Sequence, residues 1–132
     1  MLCQGLTSYC QTSSNSDYSS LVGVWNVLSK VEVKKSGGQI IDQEKELYKP
    51  DEKSFEFTSE GNVIITQDFG KHSEKLPAKV QGKNLFLGKF KKNKIPYLMR
   101  YEGNQLKLAK TETKIKKGQT IDQTEQIVLE KR

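Results

Sequence analysis

Few side chains in this sequence could do covalent or metal chemistry, and their placement argues against both. The chain holds one histidine, His72, and two cysteines, Cys3 and Cys10. His72 follows Gly70–Lys71, which reads as a turn, so its imidazole is expected in solvent rather than as a base. A disulfide between the two cysteines would close a short loop and stabilise no core. A tetrahedral zinc site needs more ligands than one histidine and two cysteines near the N-terminus supply. No Gly-x-Ser-x-Gly elbow, Walker loop or dinucleotide-binding glycine set occurs. Asp51–Glu52 sit beside Pro50 as turn residues, not as an acid–base pair facing each other across a cleft. The residues predict a protein with no catalytic group, cofactor or metal.

Binding chemistry remains, and the charge balance shapes it. Lys and Arg number 22 against 16 Asp and Glu, for a net charge of +6 and a pI near 9.2. Only Arg100 and Arg132 are arginine. Base readers and phosphate clamps rely on the planar, bidentate guanidinium, so a lysine excess with interleaved acids argues against nucleic acid. Lysine instead suits solvated strands and edges that must not pair with other edges. The densest run, Lys89 to Lys94, falls in an expected loop and reads first as a solvated tip, with contact to an anion or polymer as the alternative.

The elements that position these residues begin after a polar leader. Residues 1–16 carry no charged side chain and are rich in Ser, Thr, Gln and Cys. They read as the end of an export signal, with small residues Ser8 and Cys10 at the positions a signal peptidase accepts. Lipidation at Cys10 competes with this, as does an uncleaved cytosolic tail. Residues 1–20 are thus expected to be a signal remnant and polar linker, with the folded domain over residues 21–132. No run approaches the roughly 18 to 20 apolar residues of a membrane-spanning helix. The expected location is secreted, periplasmic or cell-surface.

From Leu21 the pattern has period two, as in strands with one buried face. Leu21, Gly23, Trp25, Val27, Val31 and Val33 fall on one side of the first strand, with Asn26, Lys30, Glu32 and Lys34 on the other. Residues 40–48 fit either a short helix capped by Asp42 or an edge strand. Short turns with Gly or Asn then separate Phe55–Phe57, Val63–Ile65, Leu76–Val80, Leu85–Leu87, Tyr97–Tyr101, Leu106–Leu108 and Ile127–Leu129. The predicted architecture is all-β, an antiparallel up-and-down barrel of eight to ten strands. Two turns also echo each other: Lys34–Lys35–Ser36–Gly37–Gly38–Gln39 and Lys116–Lys117–Gly118–Gln119.

With these strands placed, Gly23–Val24–Trp25 resembles the Gly-x-Trp motif that opens lipocalins. Residues 21–132 are similar to the lipocalin-like domains of small exported bacterial proteins, through Phe55–Glu56–Phe57, the Ser59–Asn62 turn, Tyr97–Tyr101, Gly103–Leu108 and the terminal Ile127–Arg132. The resemblance implies a calycin-type barrel that holds a small apolar or amphipathic ligand. It also implies that Trp25 packs near a late arginine at one end, with Arg132 the nearest match and Arg100 second. The chain lacks the clear helix before the last strand and the disulfide of many larger members.

Two binding readings follow. In one, Phe55, Phe57, Ile65, Leu87, Tyr97, Met99, Tyr101 and Leu108 line an internal ligand site, with Met99 as adaptable wall and the tyrosine hydroxyls near a headgroup. In the other the barrel is filled, and its lysine-rich loops bind a protein or polymer as an accessory or inhibitor module.

Overall fold

The computed structural model describes residues 18–132. A helical turn over residues 18–21 leads into nine strands: β1 (Gly23–Ser36), β2 (Gln39–Leu47), β3 (Ser54–Phe57), β4 (Asn62–Gln67), β5 (His72–Gln81), β6 (Asn84–Leu87), β7 (Tyr97–Glu102), β8 (Gln105–Lys116) and β9 (Gln119–Lys131). The readings of Cys3, Cys10 and the signal remnant lie outside the described residues. Residues 18–20, assigned to the leader by composition, are helical. The Tyr18 hydroxyl donates to the Thr58 carbonyl, and its ring packs on the core.

All strand pairings are antiparallel, and pairing of β1 with β9 closes an eight-stranded ring of β1, β3, β4, β5, β6, β7, β8 and β9. The all-β barrel predicted from the period is what the chain forms. The ninth strand, β2, settles the ambiguous stretch at residues 40–48 as an extended edge. It continues the line of β3 along one edge of β1, which pairs with β3 over Gly23–Asn26 and with β2 over Ser29–Ser36. Between the two, residues 48–53 leave the sheet and return, anchored by Tyr48 N donating to the Leu28 carbonyl and Val27 N donating to the Lys53 carbonyl.

The first strand departs from strict alternation. Val27 lies opposite Leu129 but Ser29 lies opposite Val128, so Leu28 is an unpaired extra residue on the β9 side. A bulge of this kind reverses which face each later side chain takes. Lys30 therefore shares the inner face with its partner Ile127, followed by Glu32 and Lys34, while Val31 and Val33 turn outward beside Gln126 and Thr124. This overturns the expected inward placement of Val31 and Val33. A second shift between Lys34 and Lys35 leaves Ile41 without a partner on β1.

The bulge divides the molecule into two regions. Below it, Leu21, Trp25, Val27, Phe57, Val63, Val80, Leu85, Leu106, Leu108 and Leu129 converge in one packed cluster within the ring. Above it, β2, the upper half of β1, the first half of β9 and the second half of β8 flare out as a four-stranded sheet. The two echoing turns are the tips of this sheet and touch. Ser36 Oγ donates to the Thr120 carbonyl at 3.1 Å, and Gln119 Nε2 donates to Ser36 Oγ at 2.8 Å.

Candidate functional site

The residues expected to line an internal site do not all face the same surroundings. Phe55, Phe57, Met99 and Leu108 belong to the packed cluster, whereas Ile65, Leu87 and Tyr97 are half-buried against it. Phe57 is 1% exposed and Leu108, Leu106, Leu85 and Val63 are 0% exposed. A side chain with no surface open to a water-sized sphere borders no void that water could enter, so the lower barrel is filled at these positions. Tyr101 is 43% exposed, with its ring tilted against Trp25 at 6.3 Å between centroids. With Met99 it borders a cleft of about 590 Å³ that also touches Gly82, Lys83 and Arg100. That cleft lies beside the junction where β6 meets β7 only through Asn84 and Leu85 opposite Leu98 and Tyr97.

At the mouth, Tyr97 joins the core to a charged inner face. Its hydroxyl donates to Glu125 Oε2 at 2.8 Å, and Lys110 Nζ lies 4.6 Å from the ring centroid. Burial, then the Glu125 carboxylate that accepts its hydrogen bond, hold the Tyr97 phenol well above its usual titration range. Across the mouth, burial and the neighbouring Lys30 ammonium lower the Lys53 pKa. Burial pushes Tyr48 up to about 12, with the Glu46 carboxylate adding to the shift. The register aligns Glu44, Glu32, Glu125 and Lys110 across the concave face, and Gln123 donates to Glu32 at 3.1 Å. Sequence reasoning missed this face because the Leu28 bulge that creates it leaves no mark in the alternation.

The motif end carries one correction. The Trp25 indole donates to the Leu21 carbonyl at 2.8 Å, and the cation above its ring is Lys131, with Nζ 4.8 Å from the centroid. Lys131 also donates to the Val22 carbonyl at 2.6 Å. Arg132, expected in that position, instead bonds Asn26 Oδ1 and the Asp51 carboxylate, each at 2.9 Å. Arg100 pairs with Glu102 in solvent. Successive residues on a strand point to opposite faces, so the last two residues cannot both reach the ring. Gly23 has a φ of +130°, and a methyl there would stand 2.4 Å from Lys131 Nζ. The glycine of the motif thus serves both its own backbone and the approach of that lysine.

The lysine-rich loop is held against the outer wall. Phe90 packs edge-on against Phe86 at 5.1 Å, and Lys79 Nζ sits 4.6 Å from the Phe90 centroid. Lys94 donates to the Lys89 carbonyl at 3.1 Å, closing the loop on itself. Lys91, Lys92, Asn93 and Lys94 border an open cleft of about 500 Å³. Among the described residues, no carboxylate pairs with Lys89, Lys91, Lys92 or Lys94. His72 lies in solvent 3.4 Å from Asp68. Among the described residues no group of His, Cys, Asp and Glu could hold a metal, and no helix is long and apolar enough to cross a membrane.

No known protein-family model matches the chain, and no curated protein does.

Proposed function

We propose that this is a non-enzymatic, exported binding module of lipocalin-like form, acting from its surface while the lower barrel stays filled. Its partner is an acidic protein surface or anionic polymer held by the loop at residues 88–95. The observation that carries this reading is the anchoring of that loop by Phe90 on Phe86, which presents Lys91 and Lys92 without neutralising acids. A pre-ordered loop loses less conformational freedom on binding than a mobile one. Poly-L-glutamate tests it. Binding is expected at low salt and should fall steeply between about 0.05 and about 0.5 M, as screening shortens the reach of the lysines. The Lys91→Glu/Lys92→Glu variant should lose it. No binding at low salt, or binding indifferent to salt, would overturn the reading.

A second reading rests on a different observation. Ile65, Leu87 and Tyr97 are half-buried against the core, and Lys110 lies over the Tyr97 ring at the mouth. This would suit the head and first carbons of an amphipathic molecule. Dodecanoate titrated against tyrosine emission probes it, and saturable quenching that the Tyr97→Phe variant abolishes would favour this reading over the loop.

A further inference from the structure

The flared sheet has two open edges. β2 pairs only with β1, and β8 pairs with β7 only as far as Ala109 opposite Leu98, which leaves residues 110–116 bonded on one side among the described residues. The two edges differ in charge. On the inner face, β2 presents Asp42, Glu44 and Glu46. β8 presents Lys110, Glu112, Lys114 and Lys116 there, and Glu112 is already within 4.0 Å of both Lys110 and Lys114. The outer face at both edges is mostly uncharged and exposed: Ile40 and Leu47 on β2, and Thr111, Thr113 and Ile115 on β8, with Ile115 75% exposed.

The geometry points to head-to-tail self-association, in which the β2 edge of one copy pairs with the β8 edge of the next. β2 and β8 run in opposite directions within the sheet, because each is antiparallel to its inner neighbour and β1 is antiparallel to β9. A copy placed alongside by translation therefore brings β8 antiparallel to β2, with both concave faces on the same side. One register sets Asp42 opposite Lys116 and Glu44 opposite Lys114, two unlike pairs against the one like pair of Glu46 and Glu112, with Ile115 opposite Gln43 on the outer face. The uniformly acidic β2 edges repel each other instead. A two-fold pairing of β2 with itself sets Glu44 against Glu44 and Asp42 against Glu46. The same operation on β8 is mixed: about Glu112 it sets Lys110 against Lys114, whereas about Thr113 it sets Glu112 against Lys114 and Lys110 against Lys116. Cross-strand pairs of like charge are destabilising and unlike pairs favourable, and the all-acidic β2 edge meets a net-basic edge only on β8, so the inner-face charges favour the open chain over the closed dimer. This surface is separate from the lysine loop and does not rest on it.

Sedimentation of the full chain across a concentration series tests the pairing. The unchanged protein should gain mass progressively, and amides of residues 39–47 and 110–116 should gain protection as it does. The Asp42→Lys/Glu44→Lys variant makes both edges basic, and the Lys114→Glu/Lys116→Glu variant makes both acidic. Each should sediment as a monomer, and an equimolar mixture should associate again, because every edge then meets its opposite. Circular dichroism and Trp25 emission establish that the variants fold, and the amide measurement on the unchanged protein stands if one does not. Monomers up to millimolar concentration, mass growth indifferent to the substitutions, or a mixture that stays monomeric would overturn the inference.

Discussion

Lys131 and Arg132 are adjacent cations with separate tasks. Lys131 lies over the Trp25 ring and satisfies the Val22 carbonyl, so Lys131→Met removes a cation–π contact and strands a half-buried acceptor. A loss of about 1 to 3 kcal/mol is expected. Arg132 holds Asp51 and Asn26 in solvent, and Arg132→Gln should cost under about 1 kcal/mol. Urea unfolding of the two variants checks the order, and a larger loss at Arg132 would reject the assignment. Tyr97 makes a pH prediction. Its folded phenol is held above the ordinary value of 10.0, which the unfolded chain regains. The unfolded state thus releases a proton first as pH rises, and the stabilisation present below about pH 10 is lost above it. Tyr48 and Tyr18 act in the same sense. Lys53, whose pKa is lowered, acts oppositely, since raising the pH relieves its burial. Comparison with Tyr97→Phe isolates one contribution, and the variant should show a shallower alkaline decline in melting temperature.

At the scale of elements, the division of β1 by Leu28 decides which side chains form the mouth. Deleting Leu28 would restore unbroken alternation and turn Lys30, Glu32 and Lys34 outward, bringing Val31 and Val33 onto the concave face. The lower barrel, fixed by Trp25, Val27 and Leu129, should keep its native Trp25 emission. Amides of residues 31–36 and 120–125 should lose exchange protection, because the β1–β9 register above the bulge no longer matches its side chains. Equal loss of protection throughout the barrel would contradict this separation. The same feature marks how far the sequence could be read. Strands such as Phe55–Phe57 and Leu106–Leu108 were legible because each buries one face and ends at a glycine or asparagine turn. β2 was not, because both its faces meet solvent and no buried side fixes its phase. Of the site, the lysine loop stood out as a run of charge. Its anchoring on Phe86 did not, since Phe86 lies in β6 and Phe90 in the loop after it, and no period relates the two. Trp25 packs in the core, but the cation over its ring is Lys131 rather than Arg132, because Lys131 is the one in strand phase with Trp25.

For the whole molecule, the contrast between a filled ring and a flared sheet makes equal losses of apolar surface unequal in effect. Leu108 is 0% exposed among packed neighbours, so Leu108→Ala removes transfer free energy and leaves a cavity, together about 2 to 5 kcal/mol. Were the lumen an open ligand chamber, the same truncation would widen an existing void and cost only part of that. Ile115 on the flared edge is mostly in water, and Ile115→Ala should change monomer stability by no more than about 0.5 kcal/mol. Its role would appear in association, where a strand from a second copy would cover it. Urea unfolding at low protein concentration separates the two cases. A loss at Leu108 below about 2 kcal/mol would favour a hollow barrel and return the small-ligand reading to first place. A large loss with Ile115 unaffected in the monomer fits a molecule whose stability resides in the ring and whose proposed binding surfaces lie outside it.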